Sequence, residues 1–96
     1  MLMEDIVALV TEETGVTLEQ MKLGKPTTAL FAKYVAQVIM HEEEIPLEDI
    51  TAFFGLHRTA LYHALLTISD LLKTNKHFKS MYLACIKRLA DKEEAA

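Results

Sequence analysis

The sequence contains no tryptophan, one cysteine, three glycines and two prolines. A single cysteine cannot close an internal disulfide, which excludes a disulfide-stapled scaffold and favours a reducing, cytoplasmic setting. No apolar run approaches the ~20 residues that a membrane-spanning helix needs. Glu4 and Asp5 stand where a secretory signal would carry positive charge. We therefore expect a cytoplasmic protein that has no membrane partner.

Hydrophobic residues make up 51% of the 96 residues, enough to build one buried core. Apolar side chains recur at helical spacing, and no segment shows the period of two that a half-buried strand requires. The main predicted helices cover residues 3–14, 28–43 and 57–74. Three more helices are predicted: a short one that ends by Gly24, one that stops at Gly55, and a last one marked by apolar residues from Phe78 to Leu89. The sequence thus predicts one all-α domain over residues 1–96, a compact bundle of five main helices and one further short helix.

The net charge of −4 is unusual for a nucleic-acid binder, but the charges are sorted along the chain. Residues 1–19 hold five acids and no lysine or arginine, and residues 42–49 hold five more acids. Residues 50–90 hold six lysines and arginines against one acid. This order predicts a basic face on an acidic body, and the local field is what a phosphate senses. The alternative, that these charges only form solvated surface, stays open.

The stretch from Leu47 to Ala64 has the spacing of a helix-turn-helix. Gly55 is its ninth residue and can supply the sharp turn, because glycine tolerates a positive φ. Apolar residues occupy the fourth, eighth, tenth, fifteenth and eighteenth positions, which are Ile50, Phe54, Leu56, Leu61 and Ala64. A small residue is usual at the fifth position, and Thr51 departs from that pattern.

If those apolar residues face inward, the residues that could contact DNA bases lie on the outer side of the second helix. His57, Arg58 and Thr59 begin this helix, and Tyr62 and His63 follow one turn later. The first turns of a recognition helix are the part that reaches base edges. We expect Arg58 to donate two hydrogen bonds to guanine and Thr59 to contact a base or a phosphate. The alternative is an ordinary helical hairpin with these side chains on its surface.

Several segments between residues 3 and 90 carry a family resemblance. They are Ile6-Val7, Gly15–Glu19, Ala32–Ala36, Leu47–Gly55 and Thr59–Ala64. Together they resemble the C-terminal DNA-binding domain of the bacterial replication initiator DnaA, a Trp-repressor-like helix-turn-helix. The resemblance implies sequence-specific or semi-specific binding of double-stranded DNA, a role in initiating DNA replication, and association with the bacterial nucleoid.

Two departures from the family limit what is carried over. The family has an arginine-rich arm before its long helix, whose arginine enters the minor groove. Here the arm is Lys25–Thr28, without arginine, and Lys25 matches it best. The turn Gly55–Arg58 is one residue shorter than in the family and lacks its aspartate. The resemblance therefore implies the fold and the docking helix, while the family's base contacts are not carried over.

The predicted DNA-binding residues belong to the arm, the long helix and the recognition helix. They are Lys25, Thr27, Lys33, His57, Arg58, Thr59, Tyr62 and His63. The competing hypothesis is a DnaA-like helical module that binds a protein, such as another replication or regulatory protein, and the acidic total charge favours it. Whether the chain stands alone or belongs to a longer protein stays open.

Catalysis and metal binding have little support in the sequence. His57 and His63 are six residues apart, so they do not share a helical face, and no cysteine or acid completes a ligand set. Cys85 falls on an apolar stripe, whereas a reactive cysteine needs a cationic, partly exposed setting. We expect no enzyme activity, no metal, no cofactor and no small-molecule substrate.

Overall fold

The structure is a computed structural model that describes residues 1–95, over which the chain forms helices and no strand. The six helices are α1 (Met3–Thr14), α2 (Leu18–Leu23), α3 (Thr27–Glu42), α4 (Leu47–Phe54), α5 (Arg58–Thr74) and α6 (Lys76–Ala95). The predicted all-α class is confirmed, with five longer helices and the short α2. Residue 96, the last of the predicted domain, lies outside the described residues.

The first helix boundaries follow from the residues that flank them. α1 ends at Gly15, which adopts a left-handed backbone (φ 76°) as glycine readily does. α2 begins with a capping box: the Thr17 N–H donates to Gln20 Oε1 at 2.9 Å, and the Gln20 N–H donates to Thr17 Oγ1 at 3.2 Å. Local hydrogen bonds therefore set where α1 ends and α2 begins.

Two predicted helices shift by one residue. α3 covers Thr27–Glu42 rather than residues 28–43, because Pro26 already serves as its N-cap. α5 begins at Arg58 rather than at His57, because His57 has an extended backbone (φ −76°, ψ 149°) and caps the helix from outside. His57 is thus part of the turn.

α3 forms the centre of the bundle and contacts each of the other five helices. Its buried residues are Ala29, Phe31, Ala32, Val35, Ala36, Gln37, Val38, Ile39 and Met40. Three of these are alanines, whose small side chains let neighbouring helices approach closely. Gln37 is the one polar residue among the described residues that is fully buried.

α6 is tied to α1 by ion pairs and to α3 by an aromatic contact. Arg88 Nε donates to Glu13 Oε1 at 2.7 Å, and a second guanidinium nitrogen lies 3.4 Å from Glu12 Oε2. The rings of Phe31 and Phe78 meet edge to face, with centroids 5.1 Å apart. Within residues 1–95, no helix is both long and apolar enough to cross a membrane.

Candidate nucleic-acid interface

α4 and α5 are joined by three residues, Gly55, Leu56 and His57. Gly55 has φ 66°, the left-handed conformation that the sequence predicts for the turn. The turn is closed by backbone bonds: the Gly55 N–H donates to Ala52 O at 3.3 Å, and the Leu56 N–H donates to Thr51 O at 2.8 Å. A short, closed turn of this kind fixes the orientation of α5 relative to α4.

The inner side of this unit is packed as the spacing predicts. Ile50, Phe54, Leu61 and Ala64 are buried, and Leu56 is half-buried and packs against the core. Both α4 and α5 also contact α3, so three helices enclose these side chains. The predicted inward face is therefore confirmed, and it determines which side of α5 remains outside.

Thr51, the departure from the usual pattern, is accommodated within its own helix. Its side chain is half-buried, and its Oγ1 donates to the backbone carbonyl of Glu48 at 2.8 Å. The hydroxyl is thus satisfied without disturbing the packing between α4 and α5.

His57 caps α5 through its imidazole. Its Nδ1 accepts a hydrogen bond from the backbone N–H of Thr59 at 3.2 Å, which satisfies one of the free donors at the start of the helix. A nitrogen that accepts carries no proton, so the neutral imidazole holds its proton on Nε2. The Nε2–H is the donor left to face a partner.

The outer face of α5 presents four of the predicted residues together. Arg58, Thr59, Tyr62 and His63 are all exposed. His57, Arg58, Thr59 and Tyr62 line one open depression of about 320 Å³ on the surface. Among residues 1–95, Arg58 forms no salt bridge, so its guanidinium is available to an external acceptor.

Lys33 joins this region from α3. It lines a second cavity, of about 310 Å³, together with His63 of α5. A Cβ placed on Gly24 would lie 3.8 Å from Lys33 Nζ, so the ammonium sits beside the loop that leads from α2 to α3. Lys25 is the next residue in that loop, and it is exposed, as is Thr27. Lys33 and His63 therefore line one cavity, whereas no described contact joins Lys25 or Thr27 to Arg58.

Sequence reasoning missed two residues of this region. Glu48 lines a depression of about 230 Å³ with Leu47 and Arg58, which places a carboxylate of α4 near the start of α5. Gln37 lines the cavity shared by Lys33 and His63, and its two side-chain polar atoms have no hydrogen-bond partner among the described residues. A glutamine inside the apolar run of α3 was the available signal.

Other reactive groups lie outside this region. In the part of the chain that the structure describes, no three histidine, cysteine, aspartate or glutamate side chains cluster around a possible metal position. Cys85 is buried in the core, and burial raises the pKa of its thiol to about 11, with a smaller contribution from Glu13. The thiol therefore stays protonated at neutral pH and has little nucleophilic character.

Comparison with known proteins found no matching family model, curated protein or solved structure. The function is therefore inferred from the residues and geometry described above.

Proposed function

We propose that this chain binds double-stranded DNA, with α5 docked in the major groove. The observation that carries this is the division of α5 into two sides. Leu61, Ala64 and Ile68 are buried against the bundle, while Arg58, Thr59, Tyr62 and His63 project together from its first turns. A recognition helix needs this combination of a rigidly held inner side and free polar groups near its N-terminus.

The roles of the outer residues follow from their donors and acceptors. Arg58 has the planar fork that pairs with O6 and N7 of guanine. Thr59 has a hydroxyl suited to a base or a phosphate, and His57 offers its Nε2–H to a phosphate oxygen. Base reading is thus assigned mainly to Arg58, which implies semi-specific rather than highly selective binding.

We assign the positioning contacts to four lysines. Lys25 lies in the loop between α2 and α3 and Lys33 lies on α3, while Lys73 and Lys76 are exposed where α5 passes into α6. Phosphate contacts of this kind fix the register on the duplex without reading sequence. The resemblance to the DnaA DNA-binding domain supports docking of α5 in the major groove. It also suggests a role in replication initiation at the nucleoid.

A titration against random duplex DNA at two salt concentrations tests the proposal. About four phosphate contacts predict that log K falls with log salt with a slope near −3 to −4. Lys87, an exposed lysine of α6, provides a matched control, because Lys87→Ala removes one charge that is not among the proposed phosphate contacts. Binding that does not depend on salt would contradict a phosphate-contacting face.

Binding of a partner protein is the second candidate function, and exposed apolar side chains favour it. Tyr62 and Leu66 lie one turn apart on α5 and are 61% and 54% exposed. Aromatic and aliphatic side chains at this spacing are typical of a helix that docks into a groove. If the same titration shows no duplex binding at either salt concentration, this function becomes the better supported one.

A further inference from the structure

Arg58 borders two separate depressions at the start of α5. One also contains Thr59 and Tyr62, on the outer face of α5 that is assigned to DNA. The other, of about 230 Å³, contains Leu47 and Glu48 of α4. Glu48 is exposed, so its carboxylate lies on the surface beside the guanidinium that is proposed to read a base.

The two charged groups share this depression without pairing with each other. Within residues 1–95, neither Arg58 nor Glu48 takes part in a salt bridge. Both side chains are exposed, so water solvates them in the free protein. Docking of α5 in a groove removes part of that water, and a charged group that gains no partner then costs free energy. The carboxylate beside Arg58 therefore needs a hydrogen-bond donor on the duplex.

The chemistry of the major groove limits which groups can supply that donor. Phosphate oxygens, guanine O6 and N7, and thymine O4 are all acceptors, and only the amino groups of cytosine and adenine donate there. In a G·C pair the cytosine N4–H lies next to the guanine O6, which is one of the two acceptors assigned to Arg58. A guanidinium beside a carboxylate thus matches the donors and acceptors that one G·C pair presents.

We infer that Glu48 is a specificity-determining residue, which accepts the groove-facing N4–H of cytosine in the base pair whose guanine Arg58 binds. This contact rests on the proposed docking of α5 in the major groove. It narrows the ligand to duplexes that carry a G·C pair at this position. It also gives α4 a part in base recognition, in addition to its packing against α3 and α5.

A carboxylate placed against the phosphate backbone would have a different effect. The first helix of a helix-turn-helix crosses the backbone, and a negative charge facing phosphate weakens binding to every sequence alike. Removal of Glu48 would then raise the affinity for all duplexes by a similar factor. Removal of a cytosine contact instead changes the preference at one base pair, so the two positions of Glu48 are distinguishable by measurement.

The test uses a duplex that the wild-type protein selects from random sequences. The base pair in question is the one at which Arg58→Ala loses the preference for guanine. Methylation of cytosine N4 at this pair replaces the groove-facing hydrogen and leaves the pairing hydrogen in place. We expect the wild type to bind the methylated duplex about tenfold more weakly than the unmethylated one, and Glu48→Ala to bind both equally.

Three variants separate the acceptor from the charge. Glu48→Ala removes both and should lower the preference for the G·C pair about tenfold. Glu48→Gln keeps a carbonyl acceptor and should retain most of the sensitivity to N4 methylation. Asp49→Ala, at an exposed acid of α4 outside the depression, is the matched control and should change neither ratio. The bond from Thr51 Oγ1 goes to the backbone carbonyl of Glu48, so every variant keeps it.

Failure of the Glu48 contact and failure of the proposed function give different results. If the wild type binds no duplex, the proposed function fails and the contact fails with it. If the wild type binds duplex but Arg58→Ala keeps its preference, no guanine is read beside Glu48 and the contact is contradicted. If Arg58→Ala loses the preference while Glu48→Ala behaves like Asp49→Ala, or the wild type ignores N4 methylation, the contact alone is overturned.

Discussion

The imidazole Nδ1 of His57 accepts the backbone N–H of Thr59 at 3.2 Å, which links the turn of the helix-turn-helix to the first turn of its second helix. One side chain thereby stabilises the start of α5 and is itself held in a fixed orientation. The helix cap and the proposed DNA contact therefore involve the same imidazole.

The cap predicts a difference between two substitutions of His57. His57→Ala should lower the free energy of unfolding by about 1 kcal/mol, because the Thr59 N–H loses its acceptor. His57→Asn should retain most of the stability, since asparagine is among the preferred N-cap residues. Urea denaturation of the three proteins measures this. Equal stability of His57→Ala and the wild type would show that the cap contributes nothing in solution.

The turn predicts a strain effect at Gly55. Gly55→Val should destabilise the protein by about 1–3 kcal/mol, because a β-branched residue is strained at φ 66°. A Cβ at this position meets no other atom within 4 Å, so the cost is one of backbone conformation rather than of collision. Gly55→Asn is the control and should cost less, because asparagine tolerates this conformation. Equal melting temperatures of Gly55→Val and Gly55→Asn would contradict the strain explanation.

Arg58 and Lys25 are predicted to differ in what they contribute to DNA binding. Arg58→Ala should flatten the preference among sequences, with a loss of about 1–3 kcal/mol of discrimination. Lys25→Ala should weaken binding to all sequences by a similar factor and reduce the salt slope by about one, because an exposed ammonium acts as a point charge. Selection from random duplexes, followed by salt titration, measures both.

The outcome for Arg58 decides whether α5 reads the duplex. If Arg58→Ala keeps the wild-type sequence preference and affinity, α5 is not the reading element. Another surface then binds the duplex, and the exposed side chains of α5 are better explained by a protein partner. Lys87→Ala again supplies the charge-matched control on α6.

We expect the hydrogen bond between Tyr82 and Glu42 to make the protein less stable at alkaline pH. Its hydroxyl donates to the two carboxylate oxygens of Glu42 at 2.7 and 2.9 Å, and the pKa of Tyr82 is raised from 10.0 to about 12, first by burial and then by Glu42. Because the pKa is higher in the folded state, the contribution of Tyr82 to the free energy of unfolding is fully present below pH 10. It is lost as the pH rises towards 12. The wild type should therefore lose more stability over that interval than Tyr82→Phe.

At neutral pH the same substitution removes the link between α6 and the end of α3. Tyr82→Phe should cost roughly 0.5–1.5 kcal/mol. Tyr62→Phe, on the exposed face of α5, is the control and should leave stability unchanged. A Tyr82→Phe protein whose stability follows the wild type at every pH would refute the hydrogen bond.

Local sequence signals predicted the parts of the structure that depend on neighbours in the chain. The left-handed turn at Gly55 and the inward face of α5 each follow from spacing and residue type. The start of α5 was wrong by one residue, because histidine is not among the usual capping residues and its role depends on side-chain orientation.

Features that depend on distant segments could not be predicted from spacing. The depression shared by Glu48 and Arg58 depends on how α4 meets α5, and the cavity around Gln37 depends on how α3 meets α5. A single sequence does not encode these distances in any local pattern. DNA binding itself stays a prediction.

The central position of α3 has a consequence for folding. Each of the other five helices packs against α3, and nine of the sixteen residues of α3 are buried. Without α3, the apolar side chains of the segments before and after it would therefore be exposed to water. The chain should unfold in one cooperative transition, with hydrogen exchange of the α3 amides limited by global unfolding, and proteolysis should release no fragment that remains folded.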